Sequence, residues 1–576
     1  MTADIKSKTE EKDAPLREDI RLLGRLLGDT ILEQEGKDVF DLVEAIRQSS
    51  IQFQRENSNA SRKELESILN KLTTEQSVLV LRAYSYFLQL ANIAEDQHHI
   101  RRTRIHDIEG SKPRPGTMSH ALEKAKKEKI TAEELEKFFE AALVCPVLTA
   151  HPTEVRRKST QRREMEIANL LENRERVDWT KSETEAIDVK LRREVVTIWQ
   201  TDILRRTKLQ IIDEIQNGLS YYDQTFFSEI PKFYDALEEE LSRLDLKSEK
   251  TEIPSFLRMG SWVGGDRDGN PFVTGDILRQ TLKRQSAHVL NFYLEETHQL
   301  GSELSLSTNI VEMSDALLHL AEISPDHSPH RQGEPYRRAI SGIYARLVAT
   351  LMAFGAPAPA RPALGAASAY QTPDEYLEDL NIIATSLSEN GSHLIAEGRL
   401  KHLRRAVACF GFHLATLDLR QNSDVHARTV GELIKAVDIN TDYEALSEGD
   451  RVKYLVAELR AGRPLLRPYW NYSDETVSEL DILQEAARAH KQYGENAITT
   501  AIISNTQSVS DMLELAILFK QVGLISPEGE SQINIVTLFE TIPDLRKCIG
   551  IIDRLLSIPE YGGLVEARGG VDEVIV

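Results

Sequence analysis

Cysteine is scarce in this chain: Cys145, Cys409 and Cys548 stand far apart, with no CxxC spacing. That argues against a disulfide framework or a cysteine-based zinc site and fits a reducing compartment. Positive charge is also in short supply. Seventy Lys and Arg against 91 Asp and Glu leave a net charge of −21, which argues against a nucleic-acid scaffold or an anionic membrane surface. No apolar run approaches the length of a membrane span. Met1 to Ala14 is polar and charged, without the apolar stretch of a secretory signal, and reads as disordered. These absences predict a soluble cytoplasmic protein whose partners are small molecules.

Two glycine and aspartate patterns can also be set aside. The stretch Gly264-Gly265-Asp266-Arg267-Asp268-Gly269-Asn270-Pro271 lacks the Gly-Lys-Ser/Thr ending of a phosphate-binding loop. Counted as a calcium loop from Asp266, it reaches Ile277 where a bidentate glutamate is required. Adjacent His98 and His99, on one helix, point about 100° apart and are poor joint metal ligands.

What is present is mostly helix. From Leu16 to about Ala142 apolar residues recur at three- and four-residue spacing. Capping boxes at Thr73-Thr74-Glu75-Gln76 and Thr131-Ala132-Glu133-Glu134 mark two helix starts. Among the helices, short apolar or β-branched runs stop abruptly at polar residues. They lie near 144–149, 256–263, 410–419, 497–503, 533–539 and 571–576, and each but the last is followed by a helical pattern. This alternation predicts a parallel α/β array of barrel type with long helical insertions. The organisation expected is a disordered 1–14, a helical region over 15–142, and a partial barrel over 143–576. Within the last, residues 355–369, rich in alanine and proline, read as a surface excursion without chemistry. A closed barrel of this kind needs eight strands, so six candidates predict an incomplete one.

In such folds chemistry sits at the C-terminal ends of the strands. The runs would present His151, the 264–270 loop, Arg420 and Glu540 there. Singly, each is ordinary: a histidine after a strand, a surface arginine, a glutamate capping a helix. Together they form a kit. A carboxylate can hold Mg²⁺ or Mn²⁺, a guanidinium can grip phosphate or carboxylate, and an imidazole can move a proton near neutral pH. The kit suits a small phosphorylated acid.

Val147-Leu148-Thr149-Ala150-His151-Pro152-Thr153-Glu154 resembles the histidine signature of the phosphoenolpyruvate carboxylase family. Ala91-Asn92-Ile93-Ala94-Glu95, Trp199-Gln200-Thr201-Asp202, the Ser261–Pro271 block, Leu417–Ser423 and Leu538-Phe539-Glu540-Thr541 resemble further blocks, in the family's order. The resemblance implies a Mg²⁺- or Mn²⁺-dependent lyase in a TIM-barrel-type fold. It would make oxaloacetate and phosphate from phosphoenolpyruvate and bicarbonate, through carboxyphosphate and a metal-bound enolate, and so replenish the tricarboxylic acid cycle. It implies that His151 takes the carboxyphosphate proton, Arg420 binds substrate phosphate, Glu540 is a metal ligand, and Trp262 and Leu538 line a dry pocket for CO₂. It also implies activator binding at Arg156 and Arg157, allosteric control and a homotetramer. The family's second signature, Gly-Tyr-Ser-Asp-Ser-x-Lys-Asp, does not occur in this chain, so the second metal ligand is expected elsewhere. The alternative reading is an inactive or split N-terminal part of such an enzyme that needs its C-terminal half.

Overall fold

The computed structural model describes residues 12–56, 58–149, 157–175, 178–202, 209–247, 252–526 and 528–575. The chain divides into two compact units, each discontinuous in sequence: Met1–Pro115 with Val155–Lys208, and Gly116–Glu154 with Leu209–Val576. This division differs from the boundary at 142/143 expected from sequence. The helices after residue 157 join the N-terminal ones because their apolar faces share a core with them. Of the stretch expected to be disordered, residues 1–11 lie outside the described residues, and a helix opens at Ala14.

The first unit is all helix among its described residues. Leu23, Leu27 and Ile31 recur every four residues along the helix Ala14–Glu35 and so fall on one face. They bury against Tyr86 and Leu90 of Thr74–Ile108, Ile167 of Lys158–Arg174, and Leu191 and Trp199 of Lys181–Trp199. The polar tips of Tyr86 and Trp199 in this core are satisfied. The Tyr86 hydroxyl donates to the Thr201 carbonyl (2.9 Å), and the Trp199 indole N–H donates to Glu35 (3.0 Å). The capping box expected at Thr73 forms, with Gln76 returning the bond at 3.0 Å.

The second unit holds every described strand: β1 (Val147–Leu148), β2 (Gly260–Ser261), β3 (Thr416–Leu417), β4 (Leu419–Asn422), β5 (Thr500–Ser504), β6 (Asn534–Leu538) and β7 (Val574–Ile575). They make a three-stranded sheet, β1-β2-β3, and a four-stranded one, β4-β5-β6-β7, with every pair parallel and neighbours in chain order. Parallel neighbours need long crossovers, which the helices between the strands supply. β3 and β4 are halves of one extended run broken at Asp418, the first pairing with β2 and the second with β5. A parallel bridge from Asp266 to Arg420 links the loop after β2 to β4.

Two cores flank these strands. One gathers aromatic residues of the long β2–β3 crossover, including Tyr293, Tyr376, Phe410 and Phe412. The other packs Leu417, Leu419, Ala501, Ile503 and Ile535 against the helices Asp474–Tyr493 and Val509–Val522. Residues 417 and 419 therefore face helices, and the pleat turns 418 and 420 to the opposite face.

All six predicted runs contain a strand, with one correction. The run near 410–419 was expected to be extended and to end at Arg420. Instead the helix Arg399–Phe410 continues through its first residue, and the chain turns at Gly411 and Leu414, both with positive φ, before β3. Phe410, Phe412 and Leu414 are each buried to 1% exposure or less. Their two-residue spacing reflects a turn folded into the core, not a pleat, and Arg420 lies within β4 instead of beyond it. Residues 355–369 carry no helix beyond the turn at Gly355, although the Tyr344 hydroxyl anchors them by donating to the Arg361 carbonyl (3.0 Å). Among the described residues no helix is long and apolar enough to cross a membrane.

Candidate functional site

The glycines after β2 set the site's geometry. Gly264 has φ +89°, and a Cβ there would collide with the Thr281 hydroxyl. A Cβ at Gly265 would collide with the backbone carbonyl of Asp418. Only glycine lets the loop lie this close to the β3–β4 run. The loop then pairs with β4: the Arg267 N–H donates to the Arg420 carbonyl (2.8 Å), and the Arg420 N–H to the Gly265 carbonyl (3.2 Å).

This pairing sorts the loop's charges. Asp266 and Asp268 turn toward the Arg420 guanidinium, whose Nη1 donates to Asp266 (3.1 Å) and Nη2 to Asp268 (2.9 Å). Its Nε donates to the Ser504 hydroxyl at the end of β5 (2.8 Å). Glu540, two residues beyond β6, brings a carboxylate oxygen to 3.6 Å from the same Nη2. Arg267 turns the other way. It pairs with the buried Glu479 and donates to the Ser478 hydroxyl (3.1 Å). Glu479 also accepts from Gln421 (3.2 Å) and lies 3.7 Å from His426. The loop is thus clamped from both sides.

The Trp262 ring lies beside Arg420, its centroid 5.1 Å from the guanidinium carbon, within cation–π range. Its indole N–H donates to Asp418 Oδ2 (2.9 Å). Asp418 is buried and, among the described residues, accepts no bond from a cation. Burial, reinforced by Glu573, pushes its carboxyl up to about 7. Burial also raises Asp266, outweighing the opposing pull of Arg420. Leu538 lies on β6, half-buried.

Of the residues expected at the site, the structure brings together Arg420, Glu540 and Trp262, carried by strands far apart in sequence. His151 and Arg156 lie outside the described residues. Arg157 is the N-cap residue of the helix Lys158–Arg174, in the other compact unit. Sequence reading named neither Asp418 nor Ser504 as a site residue, and it placed Asp266 and Asp268 in the strand-end loop 264–270 without identifying their partner. An acidic residue between two leucines of a strand-like run was the available signal for Asp418.

The arrangement suits an anion beside a divalent cation. Arg420 presents a planar fork to one rim, with an apolar indole at its flank. Glu540 is the exposed carboxylate there, while Asp266 and Asp268 are engaged by Arg420. No group of three or more His, Cys, Asp or Glu among the described residues forms a metal site. These residues fit a hard cation that keeps water and takes substrate oxygens beside a single protein carboxylate, as Mg²⁺ does.

Comparison with known proteins gives a consistent result. The family model described as phosphoenolpyruvate carboxylase matches residues 16–576. Proteins named phosphoenolpyruvate carboxylase from Rhodopseudomonas palustris (strain BisB5) and Azorhizobium caulinodans are 55% and 54% identical over 566 and 570 residues. In each case the match covers 98% of this chain and 61% of the relative. The namesake from Aromatoleum aromaticum is 53% identical over 99% of this chain and 62% of its own length. The chain therefore spans about three fifths of the length of these curated relatives.

Proposed function

Because the chain belongs to the phosphoenolpyruvate carboxylase family, we propose that its strand-end rim takes part in carboxylating phosphoenolpyruvate with bicarbonate, giving oxaloacetate and phosphate. The observation that carries this reading is the convergence of Arg420, Glu540 and Trp262 on one rim. In the reaction a bicarbonate oxygen attacks phosphorus as the bond to the enol oxygen breaks, yielding carboxyphosphate and the enolate of pyruvate. The bicarbonate proton passes from carboxyphosphate to His151 and finally to phosphate, while the C–O bond opens to release CO₂. The enolate methylene carbon then forms the new C–C bond.

Arg420 suits the phosphoryl group because two of its nitrogens can exchange aspartate oxygens for phosphate oxygens in the same fork geometry. Trp262 and Leu538 would keep water from the enolate, whose protonation would end the reaction as pyruvate. A bound Mg²⁺ or Mn²⁺ would supply Lewis-acid neutralisation of substrate charge, with Glu540 as the ligand from this chain. Arg156 and Arg157 are the activator-binding pair in this proposal. A barrel-type arrangement, supported by the parallel strands in chain order, belongs to the same reading, as do a cytoplasmic setting and a homotetramer.

The test is an oxaloacetate assay coupled to malate dehydrogenase, run on this chain alone and with a polypeptide matching the remainder of the relatives. Oxaloacetate in either arm, with His151→Asn abolishing it while phosphate release continues, is the expected result. No oxaloacetate in both arms would refute the proposal. Activity only in the second would identify a two-piece enzyme.

A further inference from the structure

We infer that Asp418 is a positioning residue which holds the Trp262 indole beside Arg420 and so shapes the anion site without touching the substrate. The inference rests on the reading of that rim as a phosphoenolpyruvate site, but its geometry stands independently. Asp418 is the residue at which β3 becomes β4, and it is 8% exposed. Its N–H donates to the Ser261 carbonyl (2.9 Å), and its own carbonyl lies against Gly265. The backbone is therefore fixed from two sides. Two residues along the same extended run, Arg420 projects from the same face.

The indole is held at two points. Its N–H donates to Asp418 Oδ2 at 2.9 Å, and its ring lies 5.1 Å from the Arg420 guanidinium carbon. Without the first contact the ring would lose one of its two anchors, and a part-buried indole N–H would lack its acceptor. Serving packing alone would not require a carboxylate, because an apolar residue would fill the space without the cost of burying an acid.

The groups facing Asp418 strengthen this assignment. They are Trp262, the Cys145 thiol ahead of β1 and Glu573 ahead of β7, with Arg258 ahead of β2 acting on Cys145. None of them gives Asp418 a salt bridge, so the indole is its one side-chain hydrogen-bond donor among the described residues. With its carboxyl near 7, Asp418 passes between acid and carboxylate around neutral pH. The carboxylate is the stronger acceptor, so the grip on the indole tightens as pH rises through neutrality.

The experiment uses the full chain as wild type, Asp418→Leu and Asp418→Asn, each also made with Trp262→Phe. Subtracting the Trp262→Phe partner isolates one indole among the four tryptophans. Asp418→Leu is expected to raise acrylamide quenching of Trp262 at least about twofold. It is also expected to weaken phosphoenolpyruvate binding, measured calorimetrically with Mg²⁺, about tenfold, one hydrogen bond's worth. Asp418→Asn keeps an acceptor oxygen and is expected within about threefold of wild type in both. Wild-type Trp262 emission should change through a midpoint near neutral pH, and Asp418→Asn should abolish that change. Unaltered quenching in Asp418→Leu would overturn the inference. If that variant does not fold, a pH transition retained in Asp418→Asn would overturn it instead. If wild type does not bind phosphoenolpyruvate, the substrate reading falls, while the quenching comparison still decides the role of Asp418.

Discussion

Replacing Arg420 with glutamine tests the site most directly. The guanidinium is 18% exposed and is the cation shared by Asp266, Asp268 and Glu540, at 3.1, 2.9 and 3.6 Å. A phosphoryl group taken by the same fork would gain two charge-assisted hydrogen bonds, each worth about 1.5–3 kcal/mol. Losing both costs about 3 kcal/mol at the lower bound, a drop in phosphoenolpyruvate affinity of roughly hundredfold. The three carboxylates left behind would repel the substrate further. Asp268→Asn should act oppositely, freeing Nη2 from a charged competitor and raising affinity about threefold, or ~0.7 kcal/mol. Combined with Arg420→Gln it should restore part of the loss, because the two side chains touch and their effects do not add. Calorimetric titration with phosphoenolpyruvate and Mg²⁺ gives all four affinities of the cycle. Arg420→Gln binding within threefold of wild type, or strictly additive effects, would refute the reasoning.

Glu540→Gln should weaken Mg²⁺-dependent phosphoenolpyruvate binding at least about tenfold, since a neutral amide is a poor ligand for a hard cation. An unchanged Mg²⁺ titration would remove Glu540 from the metal's ligands. Gly265→Ala should destabilise the chain by more than about 2 kcal/mol in urea unfolding, because its Cβ meets backbone and not a movable side chain. Glu514 is fully buried, accepts from the Tyr443 hydroxyl (2.6 Å), and burial pushes its carboxyl up to about 8 from an ordinary 4.5. The folded form binds this proton more tightly, so its stabilising contribution is full below about 4.5 and is lost as pH rises to about 8. Glu514→Gln should therefore gain on wild type by on the order of 3 kcal/mol between pH 5 and pH 8.5, read from urea midpoints. A constant difference would exclude the linkage.

Much of the architecture was legible because its signals are local. The Thr131 box forms as expected, with the Thr131 N–H donating to Glu134 at 2.8 Å, and depends on residues three apart. β6 falls inside its predicted run, and β5 oversteps its own only by Ser504, because a β-branched stretch flanked by polar residues has few alternatives. The stretch 410–419 misled for the complementary reason. Phe410, Phe412 and Leu414 bury in an aromatic core that includes Tyr376 and, from more than 100 residues earlier, Tyr293, which no local period reveals. Likewise, the helices after residue 157 join the N-terminal unit through a shared core that composition does not mark.

Sequence alone marked where most strands end, because an apolar run tends to stop where its strand stops. Glu540 was expected on that ground and lies two residues beyond β6, whereas Arg420, expected beyond its run, lies within β4. Only the tertiary structure decided their partners. Register between the loop and β4 turns Asp266 and Asp268 toward Arg420 and sends Arg267 to Glu479, and it sets Trp262 against Asp418. These pairs span about 150 to 210 residues of chain. Their alignment depends on which strands are neighbours and on the glycine that lets two backbones meet, and neither is written in any short stretch of sequence.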